Sequence, residues 1–207
     1  MDSNSTIILA NGTFPQTDKL LSILDSAKQI ICCDGAVNKL VANGREPSVI
    51  IGDLDSADEN IKQQYSDKLI HIKDQYTNDL TKAVNWSLAQ GIKSVIIMGA
   101  TGEREDHTIA NIALLSKFEE EINLKMMTDS GVFIPISKST TFNLSQGQQV
   151  SIFSQSPDAA LTSEGLKFPL QDLKLSSWWM GTLNEAIAEQ FTISFVGEAR
   201  VIVYILS

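Results

Sequence analysis

The segment 47–56, PSVIIGDLDS, decides the fold, because it joins an apolar run to a pair of acids. The apolar run 49–51 predicts a buried strand that ends at Gly52. Asp53 and Asp55 follow, with one residue between them. In extended chain, residues i and i+2 point the same way about 7 Å apart, so the two carboxylates are predicted to face one point.

Two interpretations of the acidic pair are open at this stage. Close carboxylates repel each other unless a cation lies between them, and Mg²⁺ prefers oxygen ligands and often also holds substrate phosphates. The missing side chain of Gly52 would let backbone or a ligand approach the pair. Alternatively, the pair belongs to a solvated turn in which Asp and Ser cap the next helix.

Composition narrows the class of protein. The chain has 207 residues, 43% of them hydrophobic and 20% charged, which is typical of a globular protein with a real core. Its 25 acids against 16 bases give a net charge of -9, which disfavours nucleic acid and anionic membranes as partners. No stretch approaches the roughly 18 apolar residues of a membrane span, and no secretion signal is evident. We therefore expect a cytoplasmic protein.

The order of the patterns predicts two domains. In the first half, apolar runs at 6–10, 29–33, 49–51, 69–72, 94–98 and 123–127 alternate with helix-like segments at 18–27, 36–43, 58–66, 79–90 and 106–120. This alternation indicates a parallel sheet with covering helices. From about residue 131 the pattern is polar-apolar alternation, which predicts strands at 140–144, 149–154, 192–196 and 200–206. We predict an α/β domain at 1–132 and a small all-β domain at 133–207.

Aspartates follow four of the predicted strands in the first half. They are Asp34, the pair Asp53 and Asp55, Asp79 and Asp106. Ligands of open parallel sheets bind beyond the carboxyl ends of the strands. One aspartate at a strand end is typical of a helix cap, but four successive strand ends are hard to explain by capping alone. The sequence therefore predicts a shared acidic crevice at this edge of the sheet.

The loop 99–104, GATGER, precedes a predicted helix and carries two glycines. Its backbone amides would suit a phosphate or another anion, and Arg104 could bind phosphate through its guanidinium fork. Alternatively, the segment EREDH is a solvated helix start with Asp106 as N-cap. His107 is then a residue of the helix start. The chain has neither a P-loop nor a dinucleotide fingerprint, so the loop by itself identifies no nucleotide fold.

Several motifs occur together in an order and spacing that we recognise. They are CCDGAVN, PSVIIGDLDS, DQYTNDLTKA, GATGEREDHTIAN, SEGLKFPL and GTLNEA. Over nearly its whole length the chain resembles the thiamine pyrophosphokinases, also called thiamine diphosphokinases. The resemblance implies an N-terminal parallel-sheet α/β domain followed by a small C-terminal β-sandwich domain. It also implies a homodimer with active sites at the subunit interface, and Mg²⁺-dependent transfer of the pyrophosphoryl group of ATP to the hydroxyl of thiamine, leaving AMP.

The resemblance also implies roles for residues of these motifs. The catalytic acids and magnesium ligands would be Asp53, Asp55 and Asp79. The contacts to ATP and its phosphates would be Asp34, Gly35, Asn38, Lys82, Gly99, Thr101, Arg104, Asp106 and His107. The contacts to thiamine would be Gln75, Thr182 and Asn184. The first domain would bind ATP and magnesium, and the second would bind thiamine and dimerise. The general base stays open, as does the choice of which aspartates bind metal.

Four residues depart from the family's pattern. Glu103 and Glu105 stand where a glycine and an apolar residue are more common, and we expect their side chains to point to solvent. Asn78 replaces a threonine that precedes an aspartate, which a helix cap tolerates. Leu183 replaces a serine, so one polar contact to thiamine is expected to be lost. Two alternatives to this function stay open. The first is another enzyme, in which the acidic crevice hydrolyses nucleoside triphosphates or transfers pyrophosphate to a different alcohol such as a pterin. The second is a binding module that senses a nucleotide or a vitamin without converting it.

Overall fold

The structure, a computed structural model, describes residues 4–207. These residues form two compact units. The first contains the described residues up to 114 together with 121–129, and the second contains 115–120 together with 130–207.

The first unit is built on six parallel strands. They are β1 (Thr6–Leu9), β2 (Gln29–Cys33), β3 (Val49–Gly52), β4 (Leu69–His71), β5 (Ser94–Met98) and β6 (Asn123–Thr128). Neighbouring strands pair in parallel in the order β6-β5-β1-β2-β3-β4. The central strands are buried almost throughout, which explains why their sequences read as continuous Ile-rich runs rather than as alternating patterns.

Helices connect these strands. They are α1 (Asp18–Asp25), α2 (Ala36–Ala42), α3 (Glu59–Gln64), α4 (Asp79–Ala89) and α5 (Glu105–Phe118), with a 3₁₀ turn at Ser66–Lys68. Every strand and helix predicted for this half is present, with ends that differ by a few residues. Within residues 4–207, no helix combines the length and the apolar character that crossing a bilayer requires.

The strand order of the first unit has one reversal. The chain adds β2, β3 and β4 on one side of β1 and then returns to place β5 and β6 on the other side. In open α/β sheets, the crevice at such a reversal lies beyond the carboxyl ends of the strands and is the usual ligand site.

The second unit is antiparallel. Its strands are β7 (Gly131–Ile136), β8 (Thr140–Asn143), β9 (Gln149–Ser154), β10 (Ala160–Glu164), β11 (Leu173–Lys174), β12 (Asn184–Glu185), β13 (Gln190–Ser194) and β14 (Val201–Leu206), with a 3₁₀ turn at Trp178–Gly181. They form two groups, β12-β9-β14-β7 and β11-β10-β13-β8. The four predicted strands are confirmed, although the strand predicted at 192–196 lies two residues earlier. The pattern missed β7, β10 and the two short strands β11 and β12.

One hydrophobic core joins the two groups of strands in this unit. Ile152 and Val203 contribute from the first group, and Leu161 from the second. The rings of Phe142 and Phe191 stack within the second group with centroids 4.8 Å apart. Two antiparallel sheets that share a core form a sandwich, so the predicted fold class is confirmed.

Candidate active site

A cavity of about 430 Å³ lies in the first unit at the carboxyl ends of the strands. Its wall includes Asn11 after β1, Asp34 after β2, Asp53 after β3 and Thr101 after β5. Helix α4 adds side chains from its first turn. The loops that follow successive parallel strands meet here because all these strands point the same way, which is the basis of the predicted crevice.

Three carboxylates meet at one point of this region. One oxygen each of Asp34, Asp53 and Asp55 lies within 4.8 Å of the others. A set of carboxylate oxygens fits a hard divalent cation such as Mg²⁺. The group differs from the implied ligand set, because Asp34 takes part and Asp79, which also lines the cavity, does not. A metal-ligand role for Asp79 stays a prediction.

Asp34 is held in place by a neighbouring loop. It is only 2% exposed, and its carboxylate accepts hydrogen bonds from the backbone amides of Ser56 at 3.0 Å and Ala57 at 3.1 Å. Burial is the main cause that raises the pKa of Asp34, and the nearby Asp55 and Asp79 add to it, while the amide hydrogen bonds oppose the shift. Asp34 is therefore a buried carboxyl group beside other acids, and a cation bound there would favour its charged form.

The acidic pair does not continue the strand. β3 ends at Gly52, and Leu54 has a φ of +63°, so the extended geometry predicted for the pair is wrong. The chain turns here in a left-handed conformation, and the carbonyl of Leu54 accepts a hydrogen bond from the ammonium of Lys62 at 3.0 Å. An added Cβ at Gly52 would lie 2.7 Å from the Cβ of Asp34, so the glycine admits a neighbouring side chain, and the predicted approach of a ligand stays a prediction.

Gln75 contacts the acidic group directly. Its Nε2 atom donates to the Asp53 carboxylate at 3.1 Å, and this hydrogen bond is the main cause that lowers the pKa of Asp53. The loop that carries Gln75 is shaped by Asp74, whose carboxylate accepts a hydrogen bond from the hydroxyl of Thr77. That hydrogen bond lowers the pKa of Asp74. The structure thus places Gln75 in the cavity wall beside the acidic group, and its contact with thiamine stays a prediction.

Lys82 is a fixed cation in the cavity wall. It is 4% exposed on helix α4, which packs on β1, β2 and β3. Its Nζ atom donates to the Asp79 carboxylate, one turn earlier, at 2.9 Å. Burial lowers the pKa of Lys82, but the hydrogen bond and charge of Asp79 outweigh it, so the net shift is upward. Lys82 therefore stays protonated at neutral pH.

Arg104 and Asp106 form a two-bond pair at the start of α5. Nε and Nη2 of Arg104 donate to the two carboxylate oxygens at 3.1 and 2.6 Å, and this contact is the main cause that lowers the pKa of Asp106 to about 2. Because α5 begins at Glu105, Asp106 lies in the first turn, and the alternative that made it the N-cap is wrong. His107 is an exposed residue of the same turn and lines the cavity, as does Arg104.

The remaining implied ATP contacts divide into two groups. Gly35 and Thr101 line the cavity, whereas Asn38 and Gly99 are not among its lining residues. The side-chain amide of Asn38 donates to the carbonyl of Ser56 at 3.0 Å and accepts from the amide of Asp58 at 3.0 Å. The structure thus uses Asn38 to hold the loop that carries the acidic pair.

Thr182 and Asn184, the residues of the second unit that are implied to contact thiamine, form side-chain hydrogen bonds within that unit. The Thr182 hydroxyl donates to the carbonyl of Trp179 at 2.8 Å. The buried Asn184 donates to the carbonyl of Phe168 at 2.7 Å and accepts from its amide at 3.1 Å. Leu183, between them, has a φ of +61° and is 78% exposed. Their contact with thiamine stays a prediction.

Lys39 belongs to the site although no sequence motif pointed to it. Its ammonium donates to the carbonyls of Asn11 at 2.9 Å and Gly12 at 2.7 Å, and it also pairs with Glu103. The expectation that Glu103 points to solvent is therefore wrong in one respect, because this half-exposed side chain lines the cavity and is paired. Glu105 is exposed, as expected. No local pattern reveals a contact between residues 64 positions apart.

Comparison with known proteins gives the family. The family model of the thiamin pyrophosphokinase catalytic domain matches residues 20–127, and that of the thiamin pyrophosphokinase substrate-binding domain matches residues 131–204. The chain belongs to the thiamin pyrophosphokinase family. Thiamin pyrophosphokinases are transferases, so the predicted enzyme class is confirmed.

Relatives from distant organisms support this assignment. The chain is 25% identical to thiamin pyrophosphokinase 1 of Caenorhabditis elegans, over 82% of this chain and 76% of the relative. It is 27% identical to thiamine pyrophosphokinase of Bacillus subtilis, over 91% of this chain and 92% of the relative. A crystal structure of the Bacillus subtilis enzyme superposes with a TM-score of 0.79 at 25% identity, covering 98% of this chain and 99% of that one.

Proposed function

We propose that this chain is a magnesium-dependent thiamine pyrophosphokinase that transfers the pyrophosphoryl group of ATP to the hydroxyl of thiamine, giving thiamine diphosphate and AMP. One observation carries the proposal. The cavity of the first unit contains Asp34 and Asp53 of the three-carboxylate group beside the buried cation Lys82. Oxygen ligands for a metal and a fixed positive charge are the parts that pyrophosphoryl transfer from a polyanionic donor requires.

The charges of the cavity support a divalent cation. Among residues 4–207, its wall carries four acids, Asp34, Asp53, Asp79 and Glu103, against the two permanently charged bases Lys82 and Arg104. A triphosphate would be repelled by this wall unless further positive charge accompanied it. When bound at the three-carboxylate group, Mg²⁺ would neutralise phosphate charge.

The chain's own residues then bind and orient the substrates. Lys82 and Arg104 face the phosphates with positive charge, for which Arg104 exchanges its bonds to Asp106. The thiamine hydroxyl oxygen attacks the β-phosphorus of ATP, the bond from that phosphorus to the oxygen bridging to the α-phosphate breaks, and AMP leaves. A carboxylate of the cavity accepts the hydroxyl proton. No protein nucleophile is needed for such a transfer.

The second domain, 133–207, would bind thiamine and form the homodimer, with Thr182 and Asn184 at active sites on the subunit interface. The match to a substrate-binding domain at 131–204 supports this assignment. Apolar side chains lie exposed beside these residues, with Trp179 at 75% and Leu183 at 78% exposure. Exposed aromatic and aliphatic groups next to polar ones are typical of an interface. We place this enzyme in the cytoplasm, and its net charge of -9 disfavours nucleic acid and anionic membranes as partners.

Product analysis by mass spectrometry tests the reaction. Purified protein with ATP, thiamine and Mg²⁺ is expected to form AMP and thiamine diphosphate in equal amounts, and chelating the metal is expected to stop both. Asp53→Asn and Asp79→Asn should each lower kcat by about 100-fold or more, because the first removes a carboxylate of the proposed metal site and the second removes the partner that positions Lys82. Asp67→Asn, at an exposed acid outside the cavity, should leave kcat unchanged.

Two results would contradict the proposal. AMP formed at the same rate without thiamine would identify a hydrolase. Full activity in both cavity variants would place the chemistry elsewhere, even though the family membership would stand.

A further inference from the structure

Lys39 holds two loops of the cavity with one ammonium group. The hydrogens of Nζ go to the carbonyls of Asn11 and Gly12, at 2.9 and 2.7 Å, and to the carboxylate of Glu103. A lysine ammonium has three hydrogens, so these three acceptors use its full capacity. Helix α2 is thereby connected to the loop after β1 and to the loop after β5.

These two loops are interlocked through their backbones. The amide of Gly12 donates to the carbonyl of Gly99 at 2.6 Å, and the amide of Thr13 donates to the carbonyl of Thr101 at 2.8 Å. A Cβ added to Gly12 would lie 2.4 Å from the Thr101 carbonyl oxygen, so the packing leaves no room for a side chain. A shift of either loop therefore moves the other.

Glu103 presents a problem for an anionic ligand. It lines the cavity, and 55% of its side chain is exposed. An unpaired carboxylate here would repel a phosphate chain across the cavity, whereas a carboxylate paired with Lys39 contributes little net field.

We propose that Lys39 is a positioning residue for the phosphate chain of ATP: it fixes the loops 11–13 and 99–103 together and neutralises Glu103. The inference rests on the proposed function, since it takes ATP to be the occupant of this cavity. Lys39 acts through the loops and through Glu103, because the three hydrogens of its ammonium are all donated to protein atoms.

The KM for ATP, measured at saturating thiamine and Mg²⁺, tests this role. Lys39→Met is expected to raise KM about tenfold while kcat changes less than about twofold, because the lost interaction affects binding equally in the ground and transition states. Lys39→Arg retains the charge and the donors and should return KM to within about threefold of wild type. Glu103→Gln leaves the positive charge of Lys39 without its partner, and this uncompensated charge should lower KM about two- to threefold.

The double variant separates charge neutralisation from simple loss of structure. Combining Lys39→Met with Glu103→Gln should give a KM about threefold or more below that of Lys39→Met alone, because no unpaired acid then faces the phosphates. A role limited to folding predicts no such recovery. Lys68→Met is the matched control, since Lys68 also donates to a backbone carbonyl, at 2.9 Å, and lies near an acid, but is outside the cavity. Its KM should equal that of wild type.

A second readout keeps the inference distinct from the proposed function. Hydrogen exchange at the amides of Gly12 and Thr13 should be faster in Lys39→Met by about tenfold or more, with no ligand present. If wild-type protein forms no AMP from ATP and thiamine, the proposed function fails and this exchange still decides whether Lys39 fixes the loops. An unchanged KM in an active enzyme, or unchanged exchange, overturns the role of Lys39 and leaves the proposed function standing.

Discussion

At the scale of the residue, the ion pair of Arg104 and Asp106 shows how strongly one neighbour can shift the pKa of a carboxyl group. Both residues are exposed, yet the two hydrogen bonds lower the pKa of Asp106 to about 2 from an ordinary value near 3.8. A lowered pKa means that the pair stabilises the folded state fully above the ordinary value and loses this effect as the pH falls toward 2. The guanidinium of Arg104 is also the group proposed to exchange its hydrogen bonds to Asp106 for hydrogen bonds to a phosphate of ATP.

Replacing Arg104 by alanine should raise the pKa of Asp106 toward 3.8, because the main cause of the shift is removed. The measurement is a carboxyl ¹³C NMR titration of both proteins, and added salt should narrow the difference by screening the exposed pair. Arg45→Ala provides a matched control. Arg45 forms the same kind of fork with Asp25, so this variant should raise the pKa of Asp25 and leave that of Asp106 unchanged. An unshifted Asp106 in Arg104→Ala would contradict the assignment.

At the scale of the element, helix α4 carries much of the site. Asp79 and Lys82 are three positions apart and therefore lie on one face of the helix, where they form an ion pair. Asn78 is the N-cap of this helix. The side-chain oxygen of Asn78 accepts hydrogen bonds from the backbone amide of Thr81 at 2.9 Å and from the hydroxyl of Thr81 at 2.7 Å. Asn78 can therefore replace the threonine that is usual at this position in the family, because both residues offer a side-chain oxygen for the cap.

Removing the cap should weaken the whole domain. Asn78→Ala is expected to lower the free energy of unfolding by about 1 kcal/mol, while Asn78→Ser, which retains a capping oxygen, should stay close to wild type. Urea denaturation monitored by circular dichroism measures both variants. If the serine variant lost as much stability as the alanine variant, the cap would not be the cause.

At the scale of the whole molecule, the proposed dimer makes a quantitative prediction. Asp53→Asn disables the phosphate part of a site, and Thr182→Trp fills the position proposed for thiamine, so each variant alone should be inactive. In a co-expressed 1:1 mixture, half of the dimers are mixed and each carries one intact site if the two residues come from different subunits. About a quarter of wild-type activity should then return.

Sedimentation equilibrium supplies the companion measurement, and a dimer mass is expected. A dimer whose mixed sample stays inactive would show that both residues serve a site within one subunit. A monomer mass would remove the subunit interface from the proposal altogether.

The first half of the fold was predictable because its strands and helices alternate regularly. Most of the buried parallel strands read as short Ile- and Val-rich runs, and β1 to β5 are each followed by a helical pattern. β7 was missed because Pro135 lies within it, and proline normally argues against a strand. The short strands β11 and β12 have two residues each, which is too few for a period to be read.

The sequence by itself determined the fold class, the family and the edge of the sheet at which Asp34, Asp53 and Asp79 collect. These features follow from local periodicity and from the common direction of parallel strands. Only the tertiary structure decided that Asp34, and not Asp79, joins Asp53 and Asp55, and that Lys39 pairs with Glu103. The physical reason is that such contacts depend on turns such as the left-handed one at Leu54 and on loops that meet across the sheet, neither of which leaves a periodic trace in the sequence.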